Sequence, residues 1–324
     1  MHFVLTLNAG CALMERLEEF RLFYNQTIYP ELLRMERRRL RLIGLLFVSF
    51  LLIGGLVALQ FYLNLLLTTL LLLIPIVAYS SYLIYQIQEF RRTFKPNVVE
   101  LLLDFIDNGI NFDTNHPLSY YPEEGITKDQ FLESGLFVTA APYYASEDTI
   151  KGRIGELEFE LSELNVKELS PIRNDLEEVF KGVFLHATFK AEVEGRMIVL
   201  PREKRQFTTR AIKEFVFRKG KNKDEEILNP TFREIFMTYA TDDMHVAGIL
   251  TEPLQEALVQ IYQETRRMLY FSFIDKDFYI AIAEPKDLLE PFIFWSNLSY
   301  DLIKEFMEDI NLILRLVQEF DQKI

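Results

Sequence analysis

The length, composition and charge of the chain exclude several classes of protein. It has 324 residues, of which 49% are hydrophobic, and its formal net charge is −13. An acidic chain is not expected to bind nucleic acid, because that binding depends on lysine and arginine neutralising phosphates. Cys11 is the only cysteine, which excludes an intrachain disulfide and a cysteine-based zinc cluster.

Residues 1–41 are predicted to form a cytoplasmic helical segment. From Met14 onward, apolar residues recur every three or four positions, as along one face of a helix. Pro30 is expected to kink or restart this helix, because proline lacks an amide proton. The sequence leaves open whether Met1 or Met14 is the natural start. The apolar face consists of Leu17, Phe20, Tyr24, Ile28 and Leu32.

A transmembrane hairpin is predicted over residues 42–86. No Asp, Glu, Lys or Arg occurs from Leu42 to Gln88, and one membrane span needs only about 20 apolar residues. We place the spans at residues 42–61 and 65–85, with a short turn between them. Gly54 and Ala58 form a small-xxx-small pair that would allow close helix packing within the hairpin.

Basic residues flank the hairpin at both of its ends, which lie on the same side of the membrane. The positive-inside rule makes that side cytoplasmic, so both termini are expected there. The same residues are candidate contacts for anionic lipid headgroups. They are Arg37, Arg38, Arg39, Arg41, Arg91, Arg92 and Lys95.

The chain changes character after the hairpin. Residues 1–95 hold 10 Lys and Arg against 6 Asp and Glu, and the remainder holds 25 against 42. A juxtamembrane segment, residues 87–113, contains a predicted short amphipathic helix at Asn97–Gly109, ended by glycine. Residues 114–298 are then predicted to form a soluble α+β domain.

Several strands are predicted in the first half of this domain. The segment "GELEFELSEL" alternates acidic and apolar residues, a pattern typical of a half-buried strand. The segment "GVFLHATFKAEVEGRMIVLP" predicts a hairpin that turns at Glu194–Gly195. Phe207–Phe217 and Thr231–Tyr239 are further predicted strands.

The second half combines a helix, a hairpin and a terminal helix. Thr251–Arg267 has an N-cap threonine, an early proline and helical apolar spacing. Residues 268–283 predict a hairpin with its turn at Asp275–Asp277. The resulting fold class is α+β: a two-helix transmembrane hairpin followed by a cytoplasmic, mainly antiparallel sheet domain with flanking helices.

The last segment, residues 299–324, is predicted to be an amphipathic helix. Its apolar stripe resembles a heptad repeat, which would suit a coiled-coil oligomer. Packing on its own domain or on the N-terminal helix is favoured, because further leucines widen the stripe. The stripe comprises Ile303, Phe306, Ile310, Ile313, Val317 and Phe320.

Candidate catalytic residues are few. Asp242, Asp243 and His245 form the densest polar cluster, and these residue types can ligate a metal. A solvated turn is the favoured interpretation, because adjacent side chains diverge on an extended segment. His186 lies on a predicted strand, where we expect a sheet-face hydrogen bond rather than catalysis.

Several segments resemble a bacterial membrane protein family known as domain of unknown function 3137. They include "LEEFRLFYNQTIYPEL", "YASEDTIKGRIGELEFELSEL" and "FMTYATDDMHVAGILTEPLQEAL". The resemblance implies a protein of the bacterial inner membrane with a cytoplasmic domain, and it transfers no catalytic residues. Gly152, Gly182 and Pro253 match the family pattern and are interpreted as turn and cap positions.

These features predict a non-enzymatic, membrane-anchored binding domain. Its expected partners are the lipid bilayer and a protein or small ligand, without cofactor or nucleic acid. One alternative is a hydrolase-like membrane-surface enzyme with a site near Asp242, Asp243 and His245. A second alternative is a structural membrane homo-oligomer.

Overall fold

The computed structural model describes residues 18–63, 66–109, 117–170, 175–189, 194–203, 206–286 and 290–321. The alternative starts, Cys11 and the predicted hairpin-turn residue Asn64 lie outside these ranges. The chain divides into two compact units. The helical unit comprises Met1–Phe105 and Leu289–Met307, and the sheet unit comprises Ile106–Leu288 and Glu308–Ile324.

Two long helices dominate the helical unit. Helix α1, Tyr29–Leu63, continues an N-terminal helical stretch through a π-turn at Tyr24–Ile28. This π-turn explains why Pro30 does not break the helix. A proline ring clashes with the carbonyl four residues earlier in a regular helix, and here Gln26 lies within the π-turn.

Helix α2, Leu66–Gly109, is continuous through Pro75 and Pro96. The segment predicted as a separate short helix, Asn97–Gly109, is therefore the last part of α2. The buried stripe formed by Phe90, Phe94, Val98 and Leu102 continues at four-residue spacing across Pro96. Packing along this stripe holds the helix together where local propensity predicts an interruption.

Both helices are long and apolar enough to cross a membrane. Only 6% of the most apolar window of the first helix is buried, and 11% of that of the second. A core helix of a soluble protein buries most of its apolar surface within the protein, whereas a membrane-spanning helix can expose that surface to lipid. This exposure agrees with the predicted hairpin.

Nine strands form one antiparallel sheet among the described residues, in the order β1-β2-β3-β4-β9-β8-β5-β7-β6. The sheet lies within the sheet unit. The strands are β1 Ser119–Tyr121, β2 Tyr143–Ile154, β3 Leu157–Leu169, β4 Leu176–Thr188, β5 Arg196–Pro201, β6 Lys221–Asn222, β7 Phe236–Ala240, β8 Leu269–Ile274 and β9 Asp277–Ala283.

Six further helices complete the described fold. They are α3 Lys128–Glu133, α4 Gln206–Phe217, α5 Pro230–Ile235, α6 Val246–Ile249, α7 Glu252–Thr265 and α8 Tyr300–Asp321. Phe131 of α3 and Phe207 of α4 pack against one sheet face, in a cluster with Phe184 and Tyr279. Near the end of α8, Phe320 packs on Phe278 of the sheet, with ring centroids 4.2 Å apart.

The structure confirms the α+β class with a large antiparallel sheet, together with several local predictions. The alternating acidic segment is β3, Thr251 is the N-cap of α7, and Pro253 lies in its first turn. Strands β8 and β9 form the predicted hairpin around Asp275. All six stripe residues of α8 are buried, as expected for packing within the chain.

Two predicted strands are wrong in whole or in part. Phe207–Phe217 is helical, as α4, because Phe207 and Ala211 bury one helical face in the core. Thr231–Tyr239 begins as helix α5 and becomes strand only at Phe236. Asn229 accepts a hydrogen bond from the amide of Phe232 and so caps this short helix.

The hairpin predicted at Glu194–Gly195 is also wrong. Strand β4 pairs with β3 and β9, whereas β5 pairs with β7 and β8. The β8–β9 hairpin thus separates the two segments in the sheet, and contacts distant in sequence replace the local pairing. Gly152 and Gly182 likewise lie within strands β2 and β4 and not in turns.

Candidate ligand-binding cavity at His186

A row of polar side chains crosses four neighbouring strands of the sheet. Lys151 of β2 is directly opposite Glu160 of β3, which is opposite His186 of β4. His186 is in turn opposite Tyr279 of β9. Directly opposed residues of antiparallel strands project to the same face, so the register alone brings these four side chains together.

His186 is held between two carboxylates. Its Nδ1 lies 3.3 Å from Oε1 of Glu160, and its Nε2 lies 2.8 Å from Oδ1 of Asp277. Thr188 donates a hydrogen bond to the same Asp277 oxygen at 3.1 Å. The ring of Tyr279 stacks on the imidazole, with centroids 4.9 Å apart. The His186 side chain is 16% exposed, so the imidazole itself is largely shielded from water.

The start of helix α3 supports the same arrangement. Thr127 and Gln130 form a capping box, in which the side chain of each satisfies a backbone amide of the other. The Gln130 side-chain amide then donates from Nε2 to Oε1 of Glu160 at 2.7 Å. Helix capping and the orientation of Glu160 therefore depend on one glutamine.

The two carboxylates favour the protonated form of His186. Burial acts to lower the pKa of His186, but its hydrogen bonds to Glu160 and Asp277, together with the negative charges of these carboxylates, outweigh burial and raise that pKa above its usual value. The His186 hydrogen bond lowers the pKa of Glu160, against the opposing effect of burial. These shifts favour a doubly protonated imidazole that donates one hydrogen bond to each carboxylate.

A cavity of about 530 Å³ opens beside this row. Gly152 forms part of its wall, where a Cβ would lie only 2.4 Å from Leu118. The side chains of Leu118 and Phe159 therefore pack closely on the Gly152 backbone at that wall. Its lining residues are Pro117, Ser119, Tyr121, Lys151, Gly152, Arg153, Glu158, Phe159, Glu160, His186 and Thr188.

Both signs of charge line the cavity. Lys151 Nζ lies 2.7 Å from Oε2 of Glu124 and 5.1 Å from the centroid of the Tyr121 ring. Arg153 donates to the carbonyl of Gly155, and its side chain is 22% exposed. Such a lining suits a polar ligand with groups of both charges, because each group would meet an opposite partner.

The residues singled out near the end of β7 do not assemble into a comparable site. Asp242 pairs with Lys221 at 2.6 Å, which lowers its pKa. Asp242, Asp243 and His245 are all exposed. Within the described ranges, no group of three His, Cys, Asp or Glu side chains is placed to hold a metal ion.

The basic residues flanking the hairpin divide into exposed and buried groups. Arg37, Arg38, Arg41, Arg91 and Arg92 are exposed, where headgroups could reach them. Two others are buried in the helical unit.

Arg39 is 4% exposed and forms two hydrogen bonds to Glu36, at 2.9 and 2.6 Å. Lys95 is 6% exposed and lies 3.5 Å from Glu290. These two cations therefore contact carboxylates of their own unit.

The predicted small-residue contact is not formed within the hairpin. Gly54 and Ala58 are exposed on α1, and a Cβ at Gly54 would meet nothing within 4 Å. Two side-chain hydrogen bonds join the two helices. Thr69 donates to Gln60 at 2.8 Å, and Arg38 donates to Gln86 at 3.1 Å.

Sequence reasoning identified only one member of the His186 site. The histidine makes the sheet-face hydrogen bonds expected of it, but Glu160, Asp277, Gln130 and Tyr279 were missed. The spacing Thr127-x-x-Gln130 is a readable capping box. The partnership with Asp277 had no local signal, because it joins residues 91 positions apart.

The chain is thus an α+β protein with two candidate membrane-spanning helices and an antiparallel sheet that carries a cavity. Residues 178–322 match the family described as "Protein of unknown function (DUF3137)". This match supports, over that part of the chain, the family that the sequence resembles. The matched region contains His186 and Asp277, whereas Glu160 and Gln130 precede it.

Comparison with solved structures finds the mycobacterial trehalose monomycolate transport factor A, TtfA. The alignment covers 61% of this chain and 88% of that chain, at 9% sequence identity and a TM-score of 0.30. At that score the likeness supports no conclusion about this protein. No curated protein matches the chain.

Proposed function

We propose that the chain is a membrane-anchored binding protein whose sheet unit holds a polar ligand in the cavity beside His186. The main observation is the array of Glu160, His186 and Asp277 at the cavity wall. The cavity volume, about 530 Å³, lies in the range of small-molecule sites. Its lining favours a ligand, or a peptide segment, that has both acidic and basic groups.

The same array favours binding over catalysis. A general base needs an imidazole nitrogen with a free lone pair within reach of the substrate proton. Both ring nitrogens of His186 face carboxylates instead. In this setting the imidazole orients Glu160 and Asp277, and neither nitrogen is directed at a nucleophile.

The two candidate spans support anchoring of this binding unit to a membrane. Their apolar surfaces are exposed, and the exposed arginines lie at one end of the pair. Under the positive-inside rule that end is cytoplasmic. We therefore propose that the hairpin anchors the sheet unit on the cytoplasmic face of a bacterial inner membrane.

Native mass spectrometry of the full chain, purified from its own membranes in lipid nanodiscs, tests ligand binding. We expect a small molecule or peptide of defined mass to accompany the wild-type protein. The double variant Lys151→Ala/Arg153→Ala should lose most of that mass, because it removes both cavity cations.

A matched control removes two cations elsewhere on the sheet unit. Arg218 and Lys221 also form exposed ion pairs, at 2.8 and 2.6 Å, and neither lines the cavity. Arg218→Ala/Lys221→Ala should keep the bound mass. Equal occupancy in both double variants, or no bound mass in the wild-type protein, would contradict binding in this cavity.

A further inference from the structure

A short aromatic loop in the helical unit has an arrangement opposite to that of an ordinary soluble loop. Phe292, Phe294 and Trp295 are 50%, 79% and 75% exposed, whereas Asn297 is 2% exposed. Three large apolar side chains so close in sequence form an exposed patch, which in soluble proteins marks an interaction surface. Residues 290–297 are called the aromatic loop below.

Polar contacts fix the conformation of this loop. Asn297 accepts a hydrogen bond from the amide of Phe292 at 2.7 Å, and it donates one to the carbonyl of Phe292 at 2.9 Å. These bonds close the loop at its base and leave Phe294 and Trp295 at its tip. The aromatic side chains are thus presented on a fixed backbone.

The loop is also tied to both long helices. Arg39 donates from Nη1 to the carbonyl of Ile293 at 2.5 Å, while its other nitrogens hold Glu36. Burial acts to raise the pKa of Glu36, but the hydrogen bond and positive charge of Arg39, together with hydrogen bonds from Asn297 and Ser296, outweigh burial and lower that pKa. Glu290 lies 3.5 Å from Lys95 of α2.

These ties indicate the direction in which the loop runs. The hydrogen bond from Arg38 to Gln86 places those residues at a similar level along the two helices. Lys95 is nine residues beyond Gln86, which is about 13 Å farther from the spans at the rise of an α-helix. Glu290 contacts Lys95, and Ile293 contacts Arg39. From residue 290 to residue 293 the loop therefore runs toward the spans, before it reaches Trp295.

The helix residues near Arg39, to which Ile293 is bonded, and near Gln86 have the composition typical of a membrane interface. Arg39 is three residues from Leu42, where the apolar run begins. Tyr82 and Tyr85, within about one turn of Gln86, are 55% and 59% exposed. Aromatic side chains and arginines at the end of a span are typical of the headgroup region of a bilayer.

We propose that the aromatic loop inserts Phe294 and Trp295 into the headgroup region of the bilayer, as a third, monotopic contact beside the two spans. This inference rests on the proposed membrane anchoring. The occupant is lipid, because Ile293 is bonded to Arg39, which lies three residues before the apolar run and close in sequence to the exposed Arg38 and Arg41, and such arginines suit anionic headgroups. A second copy of the chain or another protein would instead shield the same side chains from lipid.

The only tryptophan of the chain, Trp295, is a built-in probe for this contact. The full chain is placed in nanodiscs of phosphatidylethanolamine and phosphatidylglycerol, with bromine near either the glycerol end or the methyl end of the acyl chains. We expect loss of Trp295 fluorescence, stronger with bromine near the glycerol end, and weak quenching by aqueous iodide. Strong iodide quenching without bromolipid quenching would overturn the proposal, as would shielding from both quenchers.

Two variants in a Trp295→Phe background separate this inference from the anchoring on which it rests. Phe47→Trp reports the first span, where Phe47 is 62% exposed, and should be quenched by bromine near the methyl end. Phe217→Trp reports α4, where Phe217 is 85% exposed, and should be quenched by iodide. If bromolipid does not quench Phe47→Trp, the proposed membrane anchoring is wrong. If bromolipid quenches Phe47→Trp but not Trp295, the anchoring stands and the proposed contact of the aromatic loop is wrong.

Discussion

At the scale of single residues, His186 makes the stability of the sheet unit depend on pH. A histidine with a raised folded-state pKa stabilises the fold fully below its unfolded pKa, near 6.5, and loses that contribution as pH rises through the folded pKa. The lowered pKa of Glu160 acts in the opposite direction, since its contribution is lost as pH falls through the folded value. Their combined contribution to stability is greatest between the ordinary pKa of a glutamate, near 4.5, and that of a histidine, near 6.5.

The variant His186→Gln tests this dependence. It should lower the unfolding free energy by roughly 1–3 kcal/mol in mildly acidic buffer, because it removes charge-assisted hydrogen bonds from two carboxylates. The difference from the wild-type protein should shrink as pH rises. Thermal unfolding of the full chain across pH measures it, with the exposed His245→Gln as control. A difference independent of pH would contradict a charged His186.

Gly182 is a second position where one residue controls the sheet. Its φ is +146°, and a Cβ there would lie 2.1 Å from the carbonyl oxygen of Ile282. Gly182→Ala should therefore cost more than the roughly 1–3 kcal/mol of backbone strain alone. Gly135→Ala is the matched control, because Gly135 has φ +65° and a Cβ there would come no closer than 4.0 Å to its neighbour Ile274. Equal melting temperatures for the two variants would show that the close approach to β9 is absent.

At the scale of elements, the terminal helix α8 depends on its last aromatic residue. Phe320 is 1% exposed and contacts the rings of Phe273 and Phe278. Phe320→Ala should reduce the unfolding free energy by about 3–5 kcal/mol through lost burial and a cavity. Phe217→Ala, at an 85% exposed position, should change it by less than about 0.5 kcal/mol. A Phe320→Ala protein as stable as the wild type would leave the stripe free for an oligomer.

Elements with a strong local signal were predictable from the sequence, and those decided by distant contacts were not. The charge-free run, the alternating β3 and the hairpin around Asp275 each have their own pattern. Residues 207–217 contain β-branched and aromatic residues that suit a strand, yet burial of Phe207 and Ala211 selects a helix.

The candidate site was less predictable for the same reason. Glu160 and Asp277 reach His186 only through the register of β3, β4 and β9. The glutamate was visible in the strand pattern, but nothing near His186 in the sequence specifies its second carboxylate. Only the capping box at Thr127 offered an overlooked local signal.

At the scale of the whole molecule, the chain combines two long helices with exposed apolar surfaces and an acidic sheet unit with a cavity. These two features are those of the membrane-anchored binding protein proposed above. The exposed arginines and the proposed aromatic loop contact would both hold the helical unit at that surface. Under the proposed topology, the sheet unit faces the cytoplasm.

Cysteine labelling tests this central claim most directly, in intact bacterial spheroplasts expressing the full chain with Cys11→Ser. Tyr62→Cys marks the far end of α1, where Tyr62 is 86% exposed, and Phe217→Cys marks the sheet unit. A membrane-impermeant maleimide should label Tyr62→Cys in intact spheroplasts and Phe217→Cys only after lysis. Labelling of Phe217→Cys before lysis would contradict a cytoplasmic sheet unit held by a membrane hairpin.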